Sequence, residues 1–404
     1  MRWNPSRSIL PCSTTYDLKP LIQVSIYAEK SNKGMALKIL HTEWSEGWGG
    51  QEIRIVAESL ALMEKGYRMR IACQPGSGIM RHAEEAGIPT VPIRMRKGLS
   101  LSTVRQTMRA IDEYAIDIVH THSSVDAKNC GLAARLKGIP VVRSRHLSAP
   151  IKRSPLSKFV YMNLADCVIT SGQAIRDRMV EVNRMDPARI FSAPAGVDTS
   201  RFHPEVDATA VKQEFGFTPD EFIVGIVAVI RTWKGHQYLV EAVKDLAQKG
   251  YDLRLMIVGA GPYEPTLKQL IDELGIGERV IFTGHRTDVP ELIKAMNCLV
   301  LPSTKNEATS QVLPQAMAEK VPVISSDAGG LAEVIPSRDV GLLVPAADSA
   351  ALSEAIAWIH DNPEQSRIMA QGGYQYCLDH FTFEKMIDTT ERAYRFALAR
   401  KSNT

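Results

Sequence analysis

Glu307 is the carboxylate of this sequence that is best placed to do chemistry. The apolar run from Asn297 to Leu301 predicts a buried parallel strand, and Glu307 lies in the loop after it. Thr309 and Ser310 then open a predicted short helix. Ligands of open α/β sheets bind where loops leave the carboxyl ends of strands, and a helix N-terminus there favours phosphate. The stretch therefore predicts a site for a phosphorylated ligand, with Glu307 placed to hold sugar hydroxyls.

Two cations, Arg231 and Lys234, follow another predicted strand, Ile223 to Ile230. Fixed cations at the carboxyl end of a strand can stabilise the growing negative charge of a departing diphosphate without help from a metal ion. A solvated surface turn that carries two cations is the alternative interpretation.

Two pairs of glycines also follow predicted strands. Gly259 and Gly261 come after Leu253 to Val258, but Glu264 stands where a dinucleotide-binding fingerprint needs its third glycine. A tight turn beneath a nucleotide is therefore the better interpretation. Gly49 and Gly50 follow the first strand, where glycine lets the backbone approach a phosphate or a sugar closely, although a plain tight turn fits equally well.

His120 and His122 lie at the end of the predicted strand Ile116 to His120. Alternate residues of a strand face the same side, so this pair could bind a metal ion. Metal sites of that kind need a single barrel and further ligands, which this sequence does not supply, so we expect no metal. A structural role for His122 is the alternative to a role in the site.

The elements that must position these groups alternate between short apolar runs and amphipathic helices. Such a βαβ series predicts a parallel sheet with right-handed crossovers. One series starts at Leu37, and a second starts at Phe222 after a turn-rich passage from Ala193 to Pro204. The sequence therefore predicts an α/β fold with two doubly wound, Rossmann-like domains and a cleft between them.

The stretch from Leu301 to Gly330 resembles the signature of retaining glycosyltransferases of family 4, which have the GT-B fold. That signature is Pro-Ser, a Glu, seven residues, a second Glu, then Ala-Met-Ala, Pro-Val-Ile and Gly-Gly. Glu307 matches the first Glu, whereas the second falls on Gln315, where this chain departs from the family. The passage from Arg231 to Gly235 is similar to the Arg-x-x-Lys-Gly motif of the same family.

The resemblance implies a nucleotide-diphosphate sugar as co-substrate, no cofactor, no metal and a saccharide or glycolipid acceptor, in the synthesis of cell-surface polysaccharide or lipopolysaccharide. It implies catalytic roles for Glu307, His122, Arg231 and Lys234. The residues that it implies for binding the donor are Gly49, Gly50, Arg231, Lys234, Gly259, Gly261, His285, Arg286, Glu307, Thr309, Ser310, Gln311 and Gln315. The metal-binding Asp-x-Asp motif of GT-A glycosyltransferases occurs nowhere in the chain, which agrees with metal-independent chemistry.

The resemblance also implies a division into domains. Residues 36–200, together with a final helix over about 384–404, are expected to bind the acceptor, and residues 201–383 to bind the nucleotide sugar. Residues 1–35 show no clear period and are expected to be a disordered extension, with Met35 as a candidate natural start. An extension that binds a partner is the alternative.

Composition and charge give the setting. The 404 residues are 45% hydrophobic and 23% charged, as in an ordinary globular protein, and the net charge of +3 gives no reason to expect nucleic acid as a partner. Six scattered cysteines without a Cys-x-x-Cys motif favour a reducing cytoplasm. No apolar run approaches the roughly 20 residues that span a bilayer.

Basic and apolar residues are interleaved from Arg143 to Met162, and Arg94, Arg96 and Lys97 form a further basic group. This pattern suits an anionic membrane surface on the inner face of the membrane, or a phosphorylated glycolipid acceptor. An ordinary solvated face is the alternative.

Three other functions stay open at this stage. A nucleotide-sugar 2-epimerase has a related fold and needs no acceptor. A non-catalytic sugar-nucleotide-binding protein is compatible with Gln315, because this residue breaks the paired-Glu pattern. A nicotinamide oxidoreductase is disfavoured by the failed fingerprint.

Overall fold

The computed structural model describes residues 36–146, 150–305 and 307–402, which form two parallel sheets with helices packed around them. The first sheet has the strand order β3-β2-β1-β4-β5-β6-β7. Its strands are β1 Lys38–Glu43, β2 Arg68–Cys73, β3 Thr90–Pro92, β4 Ile118–Thr121, β5 Val141–Arg145, β6 Cys167–Thr170 and β7 Ile190–Ser192.

The second sheet repeats this arrangement with the order β10-β9-β8-β11-β12-β13. Its strands are β8 Phe222–Val227, β9 Leu253–Val258, β10 Val280–Gly284, β11 Cys298–Leu301, β12 Val323–Ser326 and β13 Leu342–Val344. All neighbouring strands of the two sheets named here pair in parallel. The predicted α/β fold with two doubly wound sheets is confirmed.

Helices connect the strands and cover the sheets. They are α1 Gly50–Glu64, α2 Gly78–Glu85, α3 Leu101–Tyr114, α4 Ser124–Leu136, α5 Pro155–Met162, α6 Gln173–Glu181, α7 Thr209–Glu214, α8 His236–Gln248, α9 Glu264–Leu274, α10 Val289–Lys294, α11 Val312–Ala318, α12 Leu331–Val334, α13 Ser349–Asp361, α14 Pro363–His380 and α15 Phe383–Ser402. No helix in the described part of the chain is long and apolar enough to cross a membrane.

The central strands are buried on both faces, which is why they appear in the sequence as unbroken apolar runs. Strands β4, β6, β11 and β12 are buried along their whole length. Strand β9 has the predicted bounds, and strand β11 ends at Leu301 as predicted. Strand β8 ends at Val227, so the prediction that it reaches Ile230 is wrong; the chain bends at Ala228, and Val229 is half exposed.

The last helix, α15, packs on the first sheet. It contacts β5, β6, β7 and α1, and its Tyr394 is fully buried there. The chain makes this return beside Val197, whose N–H donates to the Phe381 carbonyl at 2.7 Å. Residues 1–35, with the candidate start at Met35, lie outside the described residues.

Both sheets reverse their strand order at one place, and this fixes where ligands can bind. In the first sheet β1 lies between β2 and β4, and in the second β8 lies between β9 and β11. The loops that leave β1 and β4, or β8 and β11, turn to opposite sides and leave a crevice between them. The residues after these four strands are therefore the first candidates for a site.

Candidate active site

The reversal in the second sheet brings Lys234 and Glu307 together. Lys234 follows β8 and Glu307 follows β11, which are adjacent strands. The Lys234 Nζ lies 2.5 Å from Glu307 Oε1, and Ser303 Oγ donates to the same oxygen at 2.7 Å. Both side chains are largely buried, with 22% of the lysine and 11% of the glutamate exposed. The sequence-predicted cation and carboxylate therefore share one site.

Close backbone contacts hold the loops that carry these two residues. Gly235 has φ +76°, and a Cβ there would lie 1.8 Å from the Pro302 carbonyl oxygen, so only glycine fits. Gly329 likewise leaves room for the Glu307 carbonyl, which accepts the N–H of Gly330 at 3.1 Å. The glycine pair of the sequence signature thus fixes the main chain of Glu307.

Arg231 lies in the same loop as Lys234 but is held differently. Its side chain is exposed, and its guanidinium lies 5.0 Å from the centre of the Trp233 ring. Within the described ranges no carboxylate lies within ion-pair distance of it. Arg231 is thus available to an anion that enters the cleft.

The glycines after β9 are required by the neighbouring loop. Added Cβ atoms at Gly259 and Gly261 would lie 2.1 Å and 2.3 Å from the carbonyl oxygens of Ala228 and Ile230. Gly259 also donates its N–H to the Gly284 carbonyl at 2.8 Å. This is the close turn that the sequence predicted, and nucleotide contact there stays a prediction.

The two side chains after β10 differ in their exposure. His285 is exposed. Arg286 pairs with Glu214 at 2.6 Å and with Asp288 at 2.6 Å, and the hydrogen bonds to these carboxylates raise its pKa. Arg286 already has two acidic partners, so a nucleotide would meet the main chain of this turn more readily than the guanidinium.

The helix predicted to open at Thr309 begins later. Helix α11 starts at Val312, after Gln311 at its N-cap position, because Ser310 Oγ accepts the N–H of Val312 at 3.2 Å. Thr309 donates its hydroxyl to the Ser171 carbonyl of the first sheet at 2.6 Å. A phosphate at this point would therefore meet main-chain N–H groups in preference to the Thr309 hydroxyl. Gln315 is half-buried one turn into the helix.

Gly49 and Gly50 follow β1, which pairs with β4 at the reversal in the first sheet. Helix α1 begins at Gly50, with Gly49 at its N-cap position in an extended conformation. A Cβ at Gly50 would meet nothing within 4 Å, so the protein itself does not demand glycine there. The open space agrees with a ligand-facing role, which stays a prediction.

The loop before α1 is held by Glu43, which sequence reasoning missed. Its carboxylate is buried and accepts the Ser45 N–H at 2.8 Å and the side-chain amide of Gln51. Burial, with the nearby Asp126 carboxylate, raises the pKa of Glu43 to about 8. An acid that ends a first strand next to a glycine-rich loop is the pattern that could have indicated it.

His122 belongs to a buried chain of hydrogen bonds that crosses the top of the first sheet. The links of this histidine chain are 2.8–3.0 Å long, and its members in order are Ser144, His120, Tyr394, His41, His122 and His146. Burial lowers the pKa of His41 to about 3 and also lowers the pKa of His120, His122 and His146. The rings are therefore neutral, each with one donor and one acceptor nitrogen.

The histidine chain bears on the predicted role of His122. Its Nδ1 is bonded to His146 at 3.0 Å and its Nε2 to His41 at 3.0 Å, so both ring nitrogens are already engaged. The main-chain N–H of His122 donates to the Asp126 carboxylate at 2.8 Å. In this arrangement His122 positions its neighbours, and a ligand would reach its imidazole only by displacing one of them.

The same cluster is the place where a metal ion could be held. The ligand atoms of His41, His120 and His122 lie within 4.8 Å of one another. Neutral imidazoles are good ligands for transition metals. Their hydrogen bonds to each other and to Tyr394 already account for the arrangement, so the geometry does not call for a metal.

The loops of the two sheets meet around a pocket of about 470 Å³. Glu307 and Gly329 line it from the second sheet, and Gly172 and Ala174 from the first. Glu333, which sequence reasoning missed, closes one side. Its carboxylate accepts the N–H groups of Gln173 and Ala174 at 2.7 and 3.1 Å, and so caps helix α6 of the other sheet. An acid soon after a glycine pair is the pattern that could have indicated it.

Comparisons with known proteins cover both sheets. The family model described as "Glycosyl transferases group 1" matches residues 207–376, and the model described as "Glycosyltransferase Family 4" matches residues 48–201. The protein named "Putative glycosyltransferase EpsD" of Bacillus subtilis is 31% identical over 306 residues, which are 72% of this chain and 80% of that protein.

Two further proteins are similar over different lengths. The lipopolysaccharide core biosynthesis mannosyltransferase LpsB of Rhizobium meliloti is 30% identical over 185 residues, which are 44% of this chain and 52% of LpsB. The crystal structure of Anabaena HepE in complex with UDP and glucose superposes with a TM-score of 0.77 at 20% identity, over 89% of this chain and 99% of HepE. At that identity the likeness establishes the shared fold.

Proposed function

This chain belongs to the family 4 glycosyltransferases with the GT-B fold, and on that premise we propose that it moves a sugar from a nucleotide-diphosphate donor to a saccharide or glycolipid acceptor with retention of configuration. The observation that carries the proposal is the ion pair of Lys234 and Glu307 at the strand reversal of the second sheet. It places a cation for a diphosphate beside a carboxylate for a sugar.

The donor diphosphate lies on Arg231, Lys234 and the main-chain N–H groups before α11. As the sugar leaves, negative charge grows on the diphosphate and positive charge on the sugar ring. The two cations stabilise the negative charge on the diphosphate. Glu307 holds the sugar hydroxyls and stabilises the positive charge on the ring. Because these charges are fixed in the protein, the reaction needs no divalent metal ion.

The remaining donor contacts follow from the loops around this pair. Gln315 faces the ribose, and the turns at Gly259, Gly261 and His285 lie beneath the base. Residues 201–383 form the donor domain, and residues 36–200 with the final helix form the acceptor domain. Gly49 and Gly50 then border the donor sugar from the acceptor side.

Known relatives support this choice of substrates. HepE was crystallised with UDP and glucose, which supports a nucleoside diphosphate as the leaving group. LpsB acts in lipopolysaccharide core biosynthesis, which supports a saccharide or glycolipid acceptor in cell-surface polysaccharide or lipopolysaccharide synthesis.

Helix α5 supports contact of a cytoplasmic enzyme with an anionic membrane surface. Leu156 and Phe159 are 66% and 49% exposed on it, beside Lys152, Arg153 and Lys158. Apolar groups surrounded by cations suit an anionic lipid interface. Co-sedimentation with phosphatidylglycerol vesicles should fall with salt and with a Leu156→Ser, Phe159→Ser double substitution; equal partitioning onto neutral vesicles would argue against this contact.

The test of the function begins with donor binding. Thermal shifts against uridine, guanosine and adenosine diphosphate sugars should single out one nucleotide. That donor, incubated with saccharide and lipid-linked acceptors, should give a product whose anomeric proton in NMR shows the donor's configuration. Free sugar released equally well without acceptor would favour an epimerase, and binding without any turnover would favour a non-catalytic binding protein.

A further inference from the structure

Three arginines are buried in the described part of the chain, Arg54, Arg143 and Arg189. Arg143 differs from the other two. Arg54 pairs with Glu58 at 3.6 Å and donates to the Ala193 carbonyl, and Arg189 donates to two main-chain carbonyls at 2.6 and 2.8 Å. Arg143 is only 5% exposed, yet its Nε and Nη1 are buried without any hydrogen-bond partner among the described residues.

An aromatic ring and a second arginine lie beside Arg143. It lies on β5, two residues before the strand ends, and its guanidinium stacks on the Tyr161 ring at 3.7 Å. Arg145 lies 5.8 Å from the same ring and donates to the Tyr161 hydroxyl at 2.7 Å. Stacking satisfies the face of a guanidinium but leaves its N–H groups, which lie in its plane, without acceptors.

The nearest acid does not supply the missing acceptor. Asp126 contributes to the electrostatics at Arg143 but lies beyond ion-pair distance within the described residues. Its oxygens are occupied by Thr42 Oγ1 at 2.7 Å, by the His122 N–H at 2.8 Å and by Ser123. Burial lowers the pKa of Arg143, but a guanidinium keeps its charge in proteins, so a desolvated cation remains without an anion.

We propose that Arg143, with Arg145 and Tyr161, is a preformed receptor for an anionic group of the acceptor, a phosphate or a carboxylate. The planar N–H edge of a guanidinium matches both groups, and a bound anion would offset the cost of the buried charge. Strand β5 lies on the acceptor side of the cleft, so the assignment to the acceptor rests on the proposed function.

The probe is inorganic phosphate. It is titrated by calorimetry into a parent protein in which Arg231 and Lys234 are both replaced by alanine, so that the donor site cannot bind it. Arg143→Gln should weaken phosphate binding about tenfold or more, and Arg143→Lys, which keeps the charge but loses the planar edge, should weaken it less. Arg70→Gln is the matched control. Arg70 stacks on Tyr114 at 3.9 Å in the same sheet, outside the cleft, and its loss should leave phosphate binding unchanged.

Stability gives a second readout that does not depend on activity. Without phosphate, the melting temperature of Arg143→Gln should be no lower than that of the parent with Arg231 and Lys234 replaced by alanine, because the substitution removes an unpaired buried charge. Added phosphate should raise the melting temperature of the parent and not that of Arg143→Gln. Equal phosphate affinity in both proteins, or an equal loss in Arg70→Gln, would overturn the proposal; if Arg143→Gln does not fold, Arg143→Lys is compared with the control in the same way.

Two further arms identify the anion and separate this proposal from the enzymatic one. If Arg143→Gln weakens co-sedimentation with phosphatidylglycerol vesicles but leaves soluble phosphate binding intact, the anion is a lipid headgroup and the acceptor assignment is wrong. If phosphate binding depends on Arg143 while no nucleotide sugar is turned over, the anion receptor stands and the glycosyltransfer proposal fails.

Discussion

Lys234 and Glu307 are 73 residues apart in sequence, yet their side chains form a 2.5 Å ion pair at the point where the second sheet reverses its strand order. The lysine holds the carboxylate in one orientation, and Ser303 holds it from a second direction. A diphosphate that binds Lys234 therefore arrives beside an oriented carboxylate. In the proposed function, the pair joins recognition of the leaving group to recognition of the sugar.

Glu307→Gln should lower turnover strongly and leave the fold intact. The amide keeps the shape and can still accept a hydrogen bond from Ser303, but it no longer stabilises positive charge on the sugar ring. We expect a loss of about 100-fold or more in kcat, as for removal of one group that stabilises a transition state. Initial rates with the identified donor measure this, with the melting temperature as the control for folding; an unchanged kcat would show that Glu307 has no catalytic role.

Removal of the cations should affect catalysis in a way that a chelator does not. Arg231→Ala and Lys234→Ala should each reduce kcat/KM by about 100-fold or more, because each removes a charge from the leaving group. Wild-type activity should be unchanged in EDTA. Arg338→Ala is a suitable control, since Arg338 is also a surface arginine stacked on a tryptophan, at 4.6 Å from Trp358. Activity lost in EDTA, or retained in both alanine variants, would contradict this site.

The sequence was sufficient for much of the fold, and the reason is physical. Strands buried on both faces, such as β9 and β11, are continuous apolar runs whose ends are set by the next polar or glycine residue. The start of α11 was missed because Ser310 serves as a local acceptor before the helix and not as its first residue. Such choices depend on which carbonyls and hydroxyls a loop meets, and the sequence pattern does not encode them.

The site was predicted only in part for a related reason. Lys234 and Glu307 were expected to lie near each other because each lies in the loop after a predicted strand, and the structure brings the two side chains together. The histidine chain was not expected, because His41 and Tyr394 are 353 residues apart and meet only when the last helix returns to the first sheet. The unpaired state of Arg143 is likewise visible only after its neighbours have been placed.

Gln315→Glu should keep activity, although it restores the acid that the family signature has at this position. The ribose hydroxyls remain neutral throughout the reaction, so the side chain there only has to accept and orient. We expect a change in donor affinity of at most about tenfold, whereas Gln315→Ala should raise the donor KM with little change in kcat. Steady-state kinetics separate the two constants; a large fall in kcat for Gln315→Ala would place this residue in the chemical step.

Tyr394→Phe should destabilise the protein through the histidine chain. The hydroxyl is bonded to His41 Nε2 and to His120 Nδ1, both at 2.9 Å, and its loss leaves two buried ring nitrogens without partners. We expect a loss of about 2 kcal/mol or more in the free energy of unfolding. Tyr67→Phe is the control, because Tyr67 donates from a more exposed position to Glu391 of the same helix, and it should cost less. Denaturant unfolding measures both losses. Equal losses would show that the histidine chain stabilises the protein no more than the more exposed hydrogen bond of Tyr67 does.

Glu319→Gln should stabilise the protein at alkaline pH. Glu319 follows α11 and is fully buried, with neither carboxylate oxygen hydrogen-bonded in the described structure. Burial raises its pKa from the usual 4.5 to about 9, although the nearby Lys294 opposes the shift. Between these two values the unfolded chain has lost the proton and the folded chain keeps it, so the folded state binds more protons and its stability falls as the pH rises.

The glutamine variant should remove this pH dependence. It should match the wild type near pH 5, where the Glu319 carboxyl is protonated in the folded protein, and exceed it at pH 8 by about 1–3 kcal/mol, since each unit of pKa difference is worth about 1.4 kcal/mol and buried groups relax in part. Glu354→Gln, on the exposed side of α13, should change neither value and serves as the control. Unfolding in denaturant at the two pH values measures the difference. If the difference in stability between the wild type and Glu319→Gln is the same at pH 8 as at pH 5, Glu319 is ionised without cost in the folded state.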